Sequence, residues 1–371
     1  MVFKNYFFLI LLFLFIGQGT VYAQSDEKEG RNNFAMYTKS GDFKLLEKAR
    51  TFSDNAYKEH RDSIAYKNNL LRALVYSSLA VADSNRKLKY TKDPIEEAKS
   101  ALSKLNDNQL NYENEAQIIH IYRKLSNAYL ILGRRALNNN KTQEAYNYFK
   151  EVDALSESGI NVKHNLSVLS SRLNEPEEAV LYYEDYLQGL NKLSPENILI
   201  LADLYSKAGN PTEELNALLD GLDIFPTNKD ILFKAINIYA DNGSYDAIVP
   251  LISVAHGLDP ENINLNYLAG YAYEITGNRK LAIQYYENVI KLDDNNYNGN
   301  FELGLLFLKD YTNNTASTEN FDLAEQYLLK ANEIDPNSVN ALKSLAVLYE
   351  KSGDTIQYER VKNQLNQNTF N

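Results

Sequence analysis

The stretch 270–294, GYAYEITGNRKLAIQYYENVIKLDD, sets a glycine at 270, a tyrosine three places on at 273, an alanine nine further on at 282, and a tyrosine pair at 285–286. Small and aromatic residues at such intervals share a cause if the spacing recurs. Placing Ala282 twentieth in a 34-residue unit opens that unit at Ile263. Units then open at Ser126, Ile160, Pro195, Lys229, Ile263, Tyr297 and Val339, in steps of 34, 35, 34, 34, 34 and 42 residues. A period of this size predicts stacked helical hairpins.

Equivalent places agree in kind. The eighth holds Gly133, Ser167, Ala202, Ile236, Gly270, Gly304 and Ala346; the twentieth holds Ala145, Ala179, Glu214, Ile248, Ala282, Ala324 and Tyr358. Paired helices approach to about 8–10 Å only where side chains are small. Bulky residues at the eleventh place (Tyr205, Tyr239, Tyr273, Phe307, Tyr349) and the twenty-fourth (Phe149, Tyr183, Leu218, Ile252, Tyr286, Leu328) are expected to fill the gaps toward the next hairpin. Gly209, Gly243, Gly277 and Gly353 stand fifteenth, where the first helix must turn back, and Pro226, Pro260 and Pro336 follow the second helix.

This pattern resembles the tetratricopeptide repeat, closely over 195–336 and more loosely outside it. The resemblance implies an all-α, right-handed α-solenoid of tetratricopeptide-like helical hairpins. The family usually carries a large residue near the fourth place; here stand Ile198, Leu232, Asn266 and Asn300, and the bulk appears one place later as Phe233, Tyr267 and Phe301.

The predicted organisation has four parts. Residues 1–23 read as a secretory signal: Lys4, the apolar run Phe7–Ile16, then Val21–Ala23 before Gln24. That run is too short for the roughly 20 residues of a membrane span. Residues 24–40, polar and gapped, read as a flexible leader. Residues 41–125 read as divergent helical repeats, with extended first helices from Asp62 to about Lys89 and from Asn111 to about Asn138. Residues 126–371 read as tetratricopeptide repeats. The expected product is exported, to the periplasm first, with the cell surface or secretion as alternatives, and with no transmembrane segment in the mature chain. The insertion 309–320 is expected to lengthen one hairpin turn.

The chemistry is bounded by what is missing. The chain has no cysteine, which removes disulfides, thiol catalysis and thiolate metal sites. Its formal charge of −11 argues against nucleic acid and anionic membranes. His60, His120, His164 and His256 share no i, i+3 or i+4 spacing that would present a metal pair. Adjacent acids such as Glu177 and Glu178 sit at helix starts, where the helix dipole favours them. No cofactor, metal or catalytic residue is expected, and the chain reads as a non-enzyme.

The resemblance implies a concave face lined by first helices that binds a partner. Phe233, Asn237, Tyr267, Tyr271 and Phe301 are the expected groove residues, aromatics one repeat apart with short polar neighbours. The family's lysine, asparagine and arginine clamp for C-terminal carboxylates is present only in fragments. The expected role is a scaffold for one or more proteins, envelope components among them. The alternative is a glycan-binding accessory of a polysaccharide-uptake system, since aromatics beside Asn and Asp also suit sugars.

Overall fold

A computed structural model describes residues 25–58, 60–155 and 159–369. The segment read as a signal, 1–23, lies outside the described residues. Those described hold 20 helices and divide into two compact units, Met1–Asn191 and Lys192–Asn371. The division falls inside the array 126–371, where the sequence step is 35 residues rather than 34.

The first unit comprises α1 (Asp26–Ser40), α2 (Phe43–Ala56), the short α3 (His60–Ser63), α4 (Tyr66–Ala82), α5 (Pro94–Leu102), α6 (Asn108–Glu113), α7 (Glu115–Asn138), α8 (Thr142–Leu155), α9 (Ile160–Arg172) and α10 (Pro176–Gln188). They pair as hairpins α1/α2, α4/α5, α7/α8 and α9/α10.

The expected flexible leader is corrected: all but its first two residues form α1. The Ser25 side chain accepts from the Lys28 N–H, Asp26, Glu27 and Glu29 occupy the positive first turn, and Gly41 closes the helix at φ 71°. Polar composition hides one thin apolar stripe. Phe34 is buried, and Gly30 packs so closely that a Cβ there would stand 2.9 Å from Leu71 of α4.

Of the two long first helices expected, the second stands as the 24-residue α7, Glu115–Asn138, and the first differs. α4 stops at Ala82, because the buried Asp83 carboxylate accepts from the Lys87 and Leu88 N–H groups and folds the chain out of the helix. Its centre carries a buried guanidinium. Arg72, 1% exposed, donates to Glu97 of α5 and to Asp54 of α2, and lies over the rings of Tyr57 and Tyr76.

The second unit comprises α11 (Pro195–Lys207), α12 (Pro211–Ile224), α13 (Lys229–Asp241), α14 (Tyr245–Leu258), α15 (Ile263–Ile275), α16 (Arg279–Leu292), α17 (Tyr297–Asn313), α18 (Thr318–Ile334), α19 (Val339–Ser352) and α20 (Thr355–Thr369), paired in five successive hairpins. The first helices open at the first residues of the sequence units, from Ile160 to Val339.

Three features refine the repeat. First, the twenty-fourth-place bulk packs inside its own hairpin. A Cβ on the eighth-place Gly270 would meet the Tyr286 ring at 2.6 Å, and one on Gly304 would meet Leu328 at 2.7 Å. Second, Asn140 and Asn174, the fifteenth-place residues of their units, adopt φ 57° and 62°, the backbone that Gly209, Gly243, Gly277 and Gly353 adopt elsewhere. Asparagine tolerates this region better than other side-chain-bearing residues.

Third, the fourth-place Asn266 and Asn300 are buried and clamp the chain entering their helices. Each Nδ2 donates to the carbonyls six and four residues back, Pro260 and Asn262 in one case, Asp294 and Asn296 in the other. Asn69, fourth in α4, does the same with Ser63 and Ala65, which marks Tyr66 as the start of a divergent repeat. A hydrogen bond thus replaces the bulk that the family carries near this place.

The insertion near 309–320 is mostly helix, with only 314–317 left as the turn. It extends α17 and α18 to 17 residues each, and buried Tyr311 meets Phe321 edge-on at 5.4 Å to seal the added turns.

Candidate partner-binding face

The sequence-derived groove residues all sit on first helices of the second unit: Phe233 and Asn237 on α13, Tyr267 and Tyr271 on α15, Phe301 on α17. The capping residues Asn228, Asn262 and Asn296 start these helices by accepting from the backbone N–H three residues on. Register then turns the fifth place of each helix away from the small-residue crossing.

Asn237 is exposed and the four aromatics are half-buried. Phe233 lies under the Lys229 ammonium, 5.6 Å from the ring centre. Phe233, Ile236 and Asn237 face Asn262, Asn264, Leu265 and Leu268 across a cavity of about 240 Å3 between α13 and α15. Tyr271 meets Tyr245 of α14 edge-on at 4.9 Å, and Phe301 stacks on Tyr297 at 5.5 Å. The three aromatics one repeat apart border three successive core clusters, and Tyr267 and Phe301 find their ring partners locally, in Tyr286 and Tyr297, rather than in a shared ladder.

Two acids that the spacing did not single out join them. The Tyr267 hydroxyl donates to Glu302 of α17 at 3.3 Å, and the Tyr286 hydroxyl donates to Glu274 of α15 at 3.0 Å. Burial, then the neighbouring Glu274 charge, raises the Glu302 carboxyl above the ordinary range. Burial and the Glu302 carboxylate push the Tyr267 hydroxyl up to about 12. The face therefore offers aromatic rims, a carboxylate pair and an asparagine-lined cavity. Neither acid stands at a recurring place that could have announced it.

Two of the histidines are placed by rings. His164 lies 4.9 Å from Tyr186 and His256 lies 5.4 Å from Tyr285, both centre to centre. Among the described residues no three His, Asp or Glu side chains gather around a common metal position.

Residues 263–296, the hairpin of α15 and α16, match the family model described as tetratricopeptide repeat. The described residues form a run of helical hairpins of the tetratricopeptide kind. Over 181 residues the chain is 24% identical to tetratricopeptide repeat protein 8 of Caenorhabditis elegans, covering 48% of this chain and 33% of that one. It thus spans about a third of the length of that curated relative. Among solved structures it is similar to the C-terminal part of a repeat-containing protein from Cytophaga hutchinsonii, at TM-score 0.45 and 16% identity, covering 63% of this chain and 92% of that one. YrrB, described as a tetratricopeptide-repeat protein with an unusual peptide-binding site, gives TM-score 0.34 and 17% identity over 52% of this chain and 94% of its own. MamA from Desulfovibrio magneticus gives TM-score 0.37 and 17% identity over 48% and 96%. No helix among the described residues is long and apolar enough to cross a membrane.

Proposed function

We propose that this protein is a non-enzymatic scaffold that holds a partner protein on the first-helix face of α13, α15 and α17, in the periplasm or at the cell surface after export. The observation that carries this reading is the cluster of Tyr267 and Tyr271 beside Glu274 and Glu302, next to the recess at Phe233. Half-buried tyrosines are rigid anchors with few rotatable bonds. Carboxylates beside them favour a partner that presents apolar and basic side chains rather than an acidic tail. Export is supported by the charge, apolar run and small residues of 1–23.

The test is a pull-down from envelope extract, followed by binding of the captured partner to Tyr267→Ala and Phe301→Ala. Loss of about tenfold or more in affinity with helicity intact supports the face. Loss of the fold without a separable binding defect makes these residues core. A defect confined to Asn314→Ala, in the turn between α17 and α18, moves the site to the hairpin edge. Capture of polysaccharide instead of protein favours the glycan reading. Mass spectrometry of the processed protein is expected to find Gln24 at its N-terminus; retention of Met1 in the membrane fraction overturns the localisation.

A further inference from the structure

In the Met1–Asn191 unit, α7 has 24 residues and its hairpin partner α8 has 14, so the N-terminal part of α7 outruns the helix it pairs with. Two rows of residues seven apart run along α7: Ile119, Ser126 and Gly133, and beside them Glu115, Tyr122, Tyr129 and Ala136. Residues at that spacing share one stripe of a helix. The later members, from Ser126 on, are buried, on the side that meets α8. A Cβ on Gly133 would stand 3.1 Å from Phe149 of α8, and the Tyr129 ring centre lies 6.1 Å from that of Tyr148. The earlier members of the same rows are uncovered. Ile119 is 43% and Tyr122 38% exposed, Glu115 is exposed, and Tyr112 of α6, seven places before Ile119, is 77% exposed.

Ile119 is the centre of a self-complementary pattern. Glu115 stands four places before it and Arg123 four after; Ala116 stands three before and Tyr122 three after. All five are exposed. If a second copy of this helix lies antiparallel across a twofold axis at Ile119, each residue faces the one at the mirrored offset. Acid then meets base at both symmetry-related places, a tyrosine ring meets an alanine, and isoleucine meets isoleucine. Within one chain Glu115 and Arg123 lie about 12 Å apart along the helix axis, too far to pair with each other. Among the described residues neither has an ion-pair partner.

We propose that a second copy of this chain covers the N-terminal stripe of α7, the two helices antiparallel about Ile119 with Glu115 of each beside Arg123 of the other. Charge complementarity selects this occupant: the stripe carries both signs at equal distances from its centre, which a copy of itself matches and a uniformly acidic or basic segment does not. Two helical stretches of about three turns bury less than the roughly 1,600 Å2 of a standard interface, so the dimer is a weak one, with a dissociation constant on the order of 1–100 μM. The contact lies on the side of α7 that continues toward α8 and does not depend on the reading of α13, α15 and α17.

The test is sedimentation equilibrium of the full chain across that concentration range, where a monomer–dimer equilibrium is expected. Ile119→Asp places two like charges at the axis and is expected to weaken the dimer by about tenfold or more. Glu115→Arg alone and Arg123→Glu alone each set like charges opposite one another and are expected to weaken self-association by a similar factor. Mixing these two variants restores both pairs in a heterodimer, so the mixture is expected to associate at concentrations where each alone is monomeric. Circular dichroism checks the fold, and Ile119→Ser replaces Ile119→Asp if that variant does not fold. The proposal is overturned if the chain stays monomeric throughout the range, which leaves the stripe to another protein. It is also overturned by a dimer that the Ile119 variant does not weaken, by single charge variants that dimerise like the parent, or by a mixture of them that does not associate.

Discussion

Gly270 of α15 and Tyr286 of α16 are in contact across their hairpin, so close that a Cβ on Gly270 would fall 2.6 Å from Cδ1 and Cε1 of the ring. The ring is fully buried, and its hydroxyl donates to Glu274 one turn along α15 from Gly270. The hairpin thus needs both the missing side chain and the aromatic that occupies its place. Gly270→Leu is expected to cost about 1–3 kcal/mol through overpacking, measured by urea denaturation. An unchanged midpoint would mean that Tyr286 has another rotamer available and that the crossing is not fixed by this pair.

The turn positions give a paired test. Gly277 takes φ 85° and Asn174 takes φ 62° at the same place of two units. Gly277→Ala is expected to destabilise by about 1 kcal/mol, and Asn174→Gly to be neutral or stabilising by a few tenths. Thermal melts of the two variants decide it. Destabilisation by Asn174→Gly would show that the asparagine side chain, not the backbone conformation, holds that turn.

These positions also show how far the sequence speaks. Glycine fifteenth in a unit announces a left-handed turn, so four turns were legible; Asn140 and Asn174 were not, because asparagine fits many other places. The period revealed that Gly270 and Ala282 sit at a crossing. It did not reveal that Tyr286 fills its own hairpin rather than the next, since burial in either direction demands the same residue. α1 was missed because Phe34 and Gly30 carry its packing within an otherwise polar stretch. The insertion was misread because four Asn and Thr in a row suggest a loop, while Tyr311 and Phe321 at its ends supply the buried contact that extends the helices. In the candidate face, aromatic spacing located Phe233, Tyr267 and Phe301; Glu274 and Glu302 emerged only once the helices were set side by side.

Glu302 predicts a pH-dependent effect. Its carboxyl is raised by burial and by Glu274, against the opposing Tyr267 bond. A carboxyl with a raised folded pKa stabilises the fold below its unfolded value, near 4.3, and that contribution is lost as pH rises through the folded value. Glu302→Gln keeps an acceptor for Tyr267 and removes the charge, so its Tm at pH 7 is expected to exceed that of the parent by up to about 3 °C. The gap should close toward pH 4. A lower Tm at pH 7 would mean that the Tyr267 bond outweighs burial.

Asp54 predicts the reverse. Burial would raise its carboxyl, but hydrogen bonds from Tyr76 and Lys92 and the charges of Lys92 and Arg72 overcome burial and hold it below the ordinary range. A depressed folded pKa stabilises above the unfolded value, near 3.9, and the contribution is lost as pH falls through the folded value. Asp54→Asn weakens the hold on the buried Arg72 and is expected to cost about 1–3 kcal/mol at pH 7. The cost should shrink in denaturant titrations below pH 4. A cost independent of pH would assign it to packing.

The scaffold reading is tested most directly by placing the photo-crosslinker benzoylphenylalanine at position 271 in cells and comparing it with position 314. The account predicts a discrete protein adduct from position 271, lost when Phe301→Ala is added, and none from position 314. An adduct of equal strength from both positions, or from position 314 alone, would contradict it.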